Sequence, residues 1–483
     1  MTKSKQLSIA DIYSDCSNSF ENDKYHFLAL LEDNIDLNEF IPSTFQNHFY
    51  ASKGRQRKYL LTGFIWSLLL QRIFSIPTDR LLITFLQYSK ELREFCGFSK
   101  VPDASKFTRF KQEFLLDLQS VFDKLVDATE PICQQIDSNR SSMIAFDTSG
   151  IEAFVTENNP KYANKIIKQL KAYKKNLNLS ASYDPYKAAY GSMPSHAASN
   201  PAIKQLYING HFCYVYKFGI ITNGLGIVRD ITFYNQNFID VHPDLVIDKK
   251  SDSPDEDKSL GDSKALFPVL KDFFEKHPFI NPSTFLGDSA FDTVLTYPFL
   301  LNECPFTKAY IPLNSRSGIK NADYTINEDG IPCCPHNSNL TLKPESTSSL
   351  LNGVLRYKFV CPKVKWVSIN GAKHKRQCYC ENMCTNSPCG RMVYVYPEKD
   401  LQAYPGTIRG TEEWENTYKI RCVVEKSINH FKDSFCLAGQ RTQNEKTLHA
   451  DLLLADITQL ITVILADKIH QHKYIRSLKP LIA

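Results

Sequence analysis

The sequence has little that would place it among membrane, secreted or low-complexity proteins. No stretch of its 483 residues approaches the roughly 18 uninterrupted apolar residues that a membrane-spanning helix needs. The start, MTKSKQLSIADIYSDCSNSF, lacks the apolar core of a signal peptide, so the expected setting is the cytoplasm, with no membrane partner. Internal repeats, a Gly-rich phosphate loop and a Ser-His-Asp pattern are also missing, and His211, His242, His430 and His449 form no spaced set. With 43% hydrophobic and 23% charged residues, the chain lies outside the disordered and collagen-like classes. Its length suits two to four domains of roughly 100–200 residues each.

What is present is unevenly distributed. Of 14 cysteines, the seven at 333, 334, 361, 378, 380, 384 and 389 fall within 57 residues. Thiols stay reduced in the cytoplasm, so these read as buried thiols or metal ligands rather than disulfides. The net charge of +5 hides basic clusters at Lys53, Arg55, Arg57 and Lys58 and at Lys161, Lys165, Lys168, Lys171, Lys174 and Lys175. Residues 351–391 carry eight Lys and Arg against Glu381 alone, a local +7. Cations beside Tyr and Trp suit a phosphate backbone, although a run of charge also suits an ordinary solvated face.

Apolar periodicity divides the chain. From about 56 to 130 the pattern is helical, with Tyr59, Leu60, Phe64, Leu68, Leu69 and Ile73 at helix spacing and a break at Pro77. Small capping residues at Pro102–Ser105 precede a helix bearing Lys106, Arg109 and Lys111, as the second helix of a helix-turn-helix would require or an ordinary bundle helix would show. A buried strand follows at Met143–Asp147. Two paired strands meet at Asn223–Gly224, a strong hairpin signal, and the acidic stretch 244–262 reads as a loop. Helices are expected over about 264–276 and 292–301, with a strand at Ala309–Leu313. Short aromatic strands occupy 325–396, and Leu448–His470 is an amphipathic core helix.

Three carboxylates carry the chemistry. Asp147 and Asp288 each end an apolar run and are followed by small residues, Thr148-Ser149-Gly150 and Ser289-Ala290. Such an acid caps a helix or sits open at the mouth of a sheet. The third is Glu425. On a straight helix at about 100° per residue, Tyr418, Arg421, Glu425 and Lys432 share one face about 60° wide, set apart from Ile420, Val423, Val424, Ile428 and Phe431. Ion pairing along that helix explains the charges locally. Three gathered acids, however, repel one another and favour a divalent cation such as Mg²⁺, which prefers carboxylate oxygens, water and phosphate. Asp230, Asp240, Asp262 and Asp292 read as cap or surface carboxylates.

These residues resemble a family. Asp147, Asp288 and Glu425 on strand, strand and helix look like the catalytic DDE triad of RNase H-like transposases. Tyr418, Arg421, Glu425 and Lys432, spaced by two, three and six residues, match the Y(2)R(3)E(6)K signature of a group of bacterial insertion-sequence transposases. The resemblance covers about 140–470 and implies an α/β fold, an RNase H-like mixed-sheet catalytic core with a β-rich insertion, preceded by an all-helical N-terminal domain. The implied division is a lead-in (1–40), a helical DNA-binding domain (41–135), the first part of the core (136–324), a Cys-rich β insertion (325–400) and the C-terminal helices of the core (401–483).

The resemblance implies metal-dependent nicking of DNA ends and strand transfer by the freed 3′-hydroxyl. Asp147, Asp288 and Glu425 would share Mg²⁺ or Mn²⁺, as two ions, while Tyr418, Arg421 and Lys432 would contact DNA. In relatives an aromatic after the second acid can stack on a flipped base, and Phe291 is the nearby candidate here, although core packing explains a Phe as well. The partners would be double-stranded DNA, as terminal inverted repeats and target, and a second copy in a synaptic homodimer. The setting would be the bacterial cytoplasm, at the nucleoid when bound to DNA. Alternatives are an RNase H-like nuclease without strand transfer and a non-catalytic, transposase-derived DNA-binding protein. In the insertion, Cys361, Cys378, Cys380, Cys384 and Cys389, with Cys333, Cys334, His336 and His374, supply enough ligands for one tetrahedral Zn²⁺, although none of the spacings is the paired C-x₂-C of common zinc sites.

Overall fold

The computed structural model describes residues 8, 26–50, 56–178, 180, 182–208, 211–247, 260–314, 325–327, 330–349, 355–369, 373–438 and 442–482. Lys53, Arg55 and most of the acidic 244–262 stretch lie outside them. The chain is mixed α/β and divides into two compact units, residues 1–132 with 429–483, and residues 133–428. Sequence pattern groups 401–483 as a single segment; compactness divides it at Asn429.

The first unit is helical. Helices include His26–Asn34, Ser43–Phe49, Leu61–Ile73, Asp79–Tyr88, Lys90–Phe95 and Ala104–Glu113. Thr78 and Asp103 cap two of them, each accepting from the backbone N–H three residues on, which satisfies donors that a helix start leaves free. The core contains Phe45, Phe49, Phe64, Phe110 and Phe114, with the Phe64 and Phe110 rings stacked at 4.9 Å. Helix Glu445–Lys468 is long and apolar enough to cross a membrane. Here it is a core helix, buried at every position from Thr447 to Ala466 except His449.

A buried ion cluster lies within this core. Lys111 Nζ is 2.8 Å from Asp79 Oδ1 and 2.7 Å from Asp451 Oδ1, and Arg72 pairs with Asp451 and donates to the Phe435 carbonyl at 3.1 Å. Of the three cations expected along Ala104–Glu113, Lys111 therefore points inward, because Asp79 and Asp451 hold it there.

The second unit is built on one mixed sheet. Its strands are β1 (Met143–Glu152), β2 (His196–Ala197), β3 (Asn200–Ile208), β4 (His211–Asn223), β5 (Val228–Phe233), β6 (Thr284–Leu286) and β7 (Lys308–Tyr310). The order is β2-β3-β4-β1-β6-β7, and β5 also pairs with β4. β1 lies antiparallel to β4 and parallel to β6, and β7 continues parallel to β6. Buried Ile144, Ala145, Phe146, Ile220, Ile221, Phe285 and Leu286 fill its centre.

Several expectations change. β1 continues five residues past Asp147, because β4 pairs with it as far as Glu152. The hairpin turns at Asn223–Gly226, where Gly226 N–H donates to the Asn223 carbonyl at 2.8 Å, but the positive φ falls at Gly226 (76°) rather than at Gly224. The Asn223 side chain accepts from the N–H groups of Leu225 and Ile227, which widens the loop. Over 292–301 a single helix gives way to a short helical turn, Thr296–Pro298, and a π-helical turn, Phe299–Glu303. The segment 325–396 does form short strands, in three small sheets among the described residues. These share a core of their own around Leu342, Tyr357, Phe359, Cys361, Val393, Val395 and Tyr404.

Candidate active site

The register of the central strands brings the two aspartates together. The last parallel pair between β1 and β6 is Ala145 with Leu286, and Asp147 and Asp288 each lie two residues beyond it. Alternation along a strand therefore sends both side chains to the same face, where β6 has ended and room opens. Asp288 also begins the turn Ser289–Phe291, accepting from Ala290 N–H at 2.8 Å. The capping role and the sheet-mouth position coincide in this one residue. Thr148 N–H donates to Asp147 Oδ1 at 2.8 Å.

The third acid arrives from the C-terminal segment, which is not one straight helix. It runs as helix Glu412–Tyr418, a 3₁₀ turn Lys419–Arg421, helix Cys422–Asn429 and a π-helical turn His430–Ser434. The tighter turn rotates Tyr418 relative to the straight-helix wheel. Arg421 and Glu425 nonetheless reach the aspartates. The Arg421 guanidinium lies 2.6 Å from Glu425 Oε1, 3.1 Å from Asp147 Oδ2 and 3.7 Å from Asp288 Oδ2. One cation thus touches three acids brought from positions 147, 288 and 425.

Charge is not balanced in this cluster. Burial raises the Asp147 carboxyl to about 6, and Asp288 and Glu425 add to the rise while Arg421 and the Thr148 amide oppose it. Burial also lifts Asp288. The site opens toward solvent on one side, since the Asp147 side chain is 17% exposed and that of Glu425 51%. Tyr418 is half-buried, stacked on Trp414 at 4.8 Å, and burial with the three nearby acids raises its hydroxyl pKa against the pull of Arg421.

Two neighbours escape sequence reasoning. Asp262, which reads as a cap, accepts from Thr148 Oγ1 at 2.6 Å and pairs with buried Lys217 at 2.5 Å. It thereby braces the residue after Asp147. Tyr234 sits against Gly219, where a Cβ would fall 2.2 Å from its hydroxyl. That hydroxyl is buried and has no hydrogen-bond partner among the described residues. Burial, with Asp262, Asp230 and Asp147, keeps it protonated far above neutral pH. The alternation that places Gly219 and Tyr234 is visible in sequence; the close approach is not.

The remaining predicted residues differ in their settings. Phe291 is 1% exposed and packs edge-on to Phe146 at 5.3 Å, so as placed it fills core rather than offering a ring to a base. Lys432 falls in the helical unit. Among the described residues the cysteines do not gather into one four-ligand site. Cys361 lies within hydrogen-bonding distance of Cys378 and near Cys380, Cys384 meets Cys334, and Cys389 bonds through its backbone to Ser387. Burial raises Cys361 and carries Cys384 to about 11. The side chain of His374 lies outside the described residues.

The three carboxylates fit a hard divalent cation by donor chemistry, by crowding and by the unbalanced charge around Asp147. Their present orientation serves Arg421 instead, and among the described residues no three His, Cys, Asp or Glu side chains stand as a ready ligand set.

Comparison with known proteins bears on the other end of the chain. No curated protein matches it. Residues 16–113 match the family described as Transposase domain (DUF772), and that match supports reading the chain as a transposase.

Proposed function

We propose that the chain is a DDE transposase with an RNase H-like catalytic core, which nicks the ends of its own mobile element and joins the freed 3′-hydroxyl to target DNA. The observation that carries this reading is the meeting of Asp147, Asp288 and Glu425 on Arg421, in a chain whose residues 16–113 match a transposase domain. The mixed order β5-β4-β1-β6-β7, with Asp147 on the central strand, supports it further.

In this mechanism Asp147, Asp288 and Glu425 would hold Mg²⁺ or Mn²⁺. When bound, the metal would supply Lewis acidity to the attacked phosphodiester and lower the pKa of the attacking water. Arg421 turns from the acids toward a DNA phosphate, which its planar fork suits. Tyr418, braced on Trp414, flanks the backbone near the cleaved end. Thr148 and Asp262 fix the orientation of the strand at Asp147. Exposed Lys165, Lys168, Lys171 and Lys175 along helix Pro160–Asn176 offer further contacts for phosphates. Lys432 is assigned a phosphate contact by the signature alone.

The working unit in this reading is a homodimer on two inverted repeats at the bacterial nucleoid. Zinc in the insertion is a separable part, resting on Cys361, Cys378 and Cys380; metal analysis that finds no zinc in purified protein removes it. The decisive test uses a duplex carrying the inverted repeats that flank the coding region. Nicking that needs Mg²⁺ and fails in Asp147→Asn supports the site. Joining of the 3′-hydroxyl to a second duplex separates a transposase from a nuclease, and absence of both leaves the non-catalytic alternative.

A further inference from the structure

The helical unit contains a cleft of about 540 Å³ lined by Phe49, Gln56, Arg57, Lys58, Tyr59, Phe64, Lys106, Arg109, Phe110 and Glu113. Its cations are of two kinds. Arg57 is committed to the protein: it pairs with Glu113 at 2.6 Å, donates to the Phe49 carbonyl at 2.8 Å and lies over the Phe49 and Phe114 rings. Lys58, Lys106 and Arg109 make no ion pair among the described residues. Asp103, the cap of helix Ala104–Glu113, attracts Lys106 at a distance, but its carboxylate accepts from Ser105 Oγ and the Lys106 backbone N–H rather than from the Lys106 ammonium. The cleft therefore presents three positive charges without an ion pair among the described residues, over buried Phe64 and Phe110, and low-dielectric walls of that kind focus the field on what enters.

We infer that this cleft grips the phosphodiester backbone of double-stranded DNA through Lys58, Lys106 and Arg109. The cations come from two separate segments of the chain. Lys106 and Arg109 stand about one turn apart on a helix, and Lys58 comes from a separate segment ahead of Leu61–Ile73. Long side chains rooted apart in this way meet a run of phosphates. All ten lining residues fall inside the stretch matching a transposase domain. The inference rests on the transposase reading and adds to it the residues by which the helical unit holds DNA. Contacts of this class position the protein and carry no sequence information.

The test is the salt dependence of DNA binding by the full chain, measured on a duplex of the element's end and on a scrambled duplex between 50 and 200 mM salt. Each lost phosphate contact lowers the slope of log K against log salt by about 0.9. Lys58→Gln/Lys106→Gln/Arg109→Gln should reduce the slope by about 2 to 3 and weaken both duplexes alike. Lys58→Gln alone, at an exposed position, should remove about one unit even where the triple variant folds poorly, and Lys58→Arg should restore it. Wild-type binding and nicking with unaltered slopes in the lysine and arginine variants overturns this inference and leaves the transposase reading intact. A wild-type chain that binds neither duplex overturns both.

Discussion

The protein contains two clusters of carboxylates around guanidinium or ammonium groups, and they differ in stoichiometry. In the helical unit two cations, Arg72 and Lys111, face two acids, Asp451 and Asp79. In the sheet unit one cation, Arg421, faces three acids. Burial alone would raise Asp79, yet Lys111 and Arg72 hold it below the ordinary carboxylate range. Burial raises Asp147 to about 6, and one arginine does not reverse it. The same ingredients thus give a closed structural tie in one place and an unbalanced, half-open site in the other. The balanced cluster is complete within the fold; the unbalanced one is suited to further positive charge.

The largest expected effects test that division of roles. Asp147→Asn should reduce Mg²⁺-dependent nicking by about a thousand-fold or more, as for residues that act as a unit, while leaving metal-free stability the same or slightly higher. A variant that loses activity because it unfolds would erase the distinction between the clusters. Next in size, Asp451→Ala should cost about 3–5 kcal/mol in urea unfolding, because it strands Arg72 and Lys111 without a shared partner in the core. A loss under about 1 kcal/mol there would mean that the buried cluster is not the tie proposed.

Much of this contrast was legible in sequence, and the parts that were not have physical reasons. Asp147, Asp288 and Glu425 stand out because each follows or flanks a strongly periodic apolar segment, and the structure brings them within reach of one arginine. The buried cluster was hidden: Lys111 reads as a surface cation on an amphipathic helix, and its partners are 32 and 340 residues away. Asp262 was hidden for the same reason, since its bond to Thr148 spans 114 residues. Phe291 illustrates the converse, a residue whose position after an acid suggests stacking but whose apolar ring the core of Phe146 claims. The straight helix over 418–432 failed where 3₁₀ and π-helical turns interrupt it, which no 3.6-residue period encodes.

The pH dependence of stability should run in opposite directions for the two clusters. Asp147 has a folded pKa of about 6 against an unfolded value near 3.8, so between those values the native state holds more protons than the unfolded state. Its contribution to stability therefore falls as pH rises from about 4 to about 6, by at most about 3 kcal/mol. Asp79 is shifted the other way, and its contribution is lost as pH falls below the ordinary carboxylate range. Subtracting the unfolding curve of Asp147→Asn from that of the wild type isolates the first effect. Saturating Mg²⁺ should lessen this fall, because ligation favours the ionised acids. A difference curve without slope between pH 4 and 6 would place Asp147 in a better-compensated setting than its neighbours imply.

The smallest effect sharpens the comparison most directly, by removing the equivalent group from each cluster. Arg421→Gln leaves Asp147, Asp288 and Glu425 facing one another, but two of its three ion-pair partners are more than a third exposed. Water and screening then take over much of what the guanidinium supplied, and the expected loss in metal-free buffer is about 1 kcal/mol. Mg²⁺ should return that loss, since added charge replaces the charge removed. Arg72→Gln, made in the balanced cluster where the side chain is fully buried, should cost several times as much and gain nothing from Mg²⁺. Equal losses in the two variants, or Mg²⁺ rescue of both, would show that stoichiometry does not distinguish the clusters. A small loss with rescue at Arg421 alone would mean that this arginine occupies a place the acids hold for a metal ion.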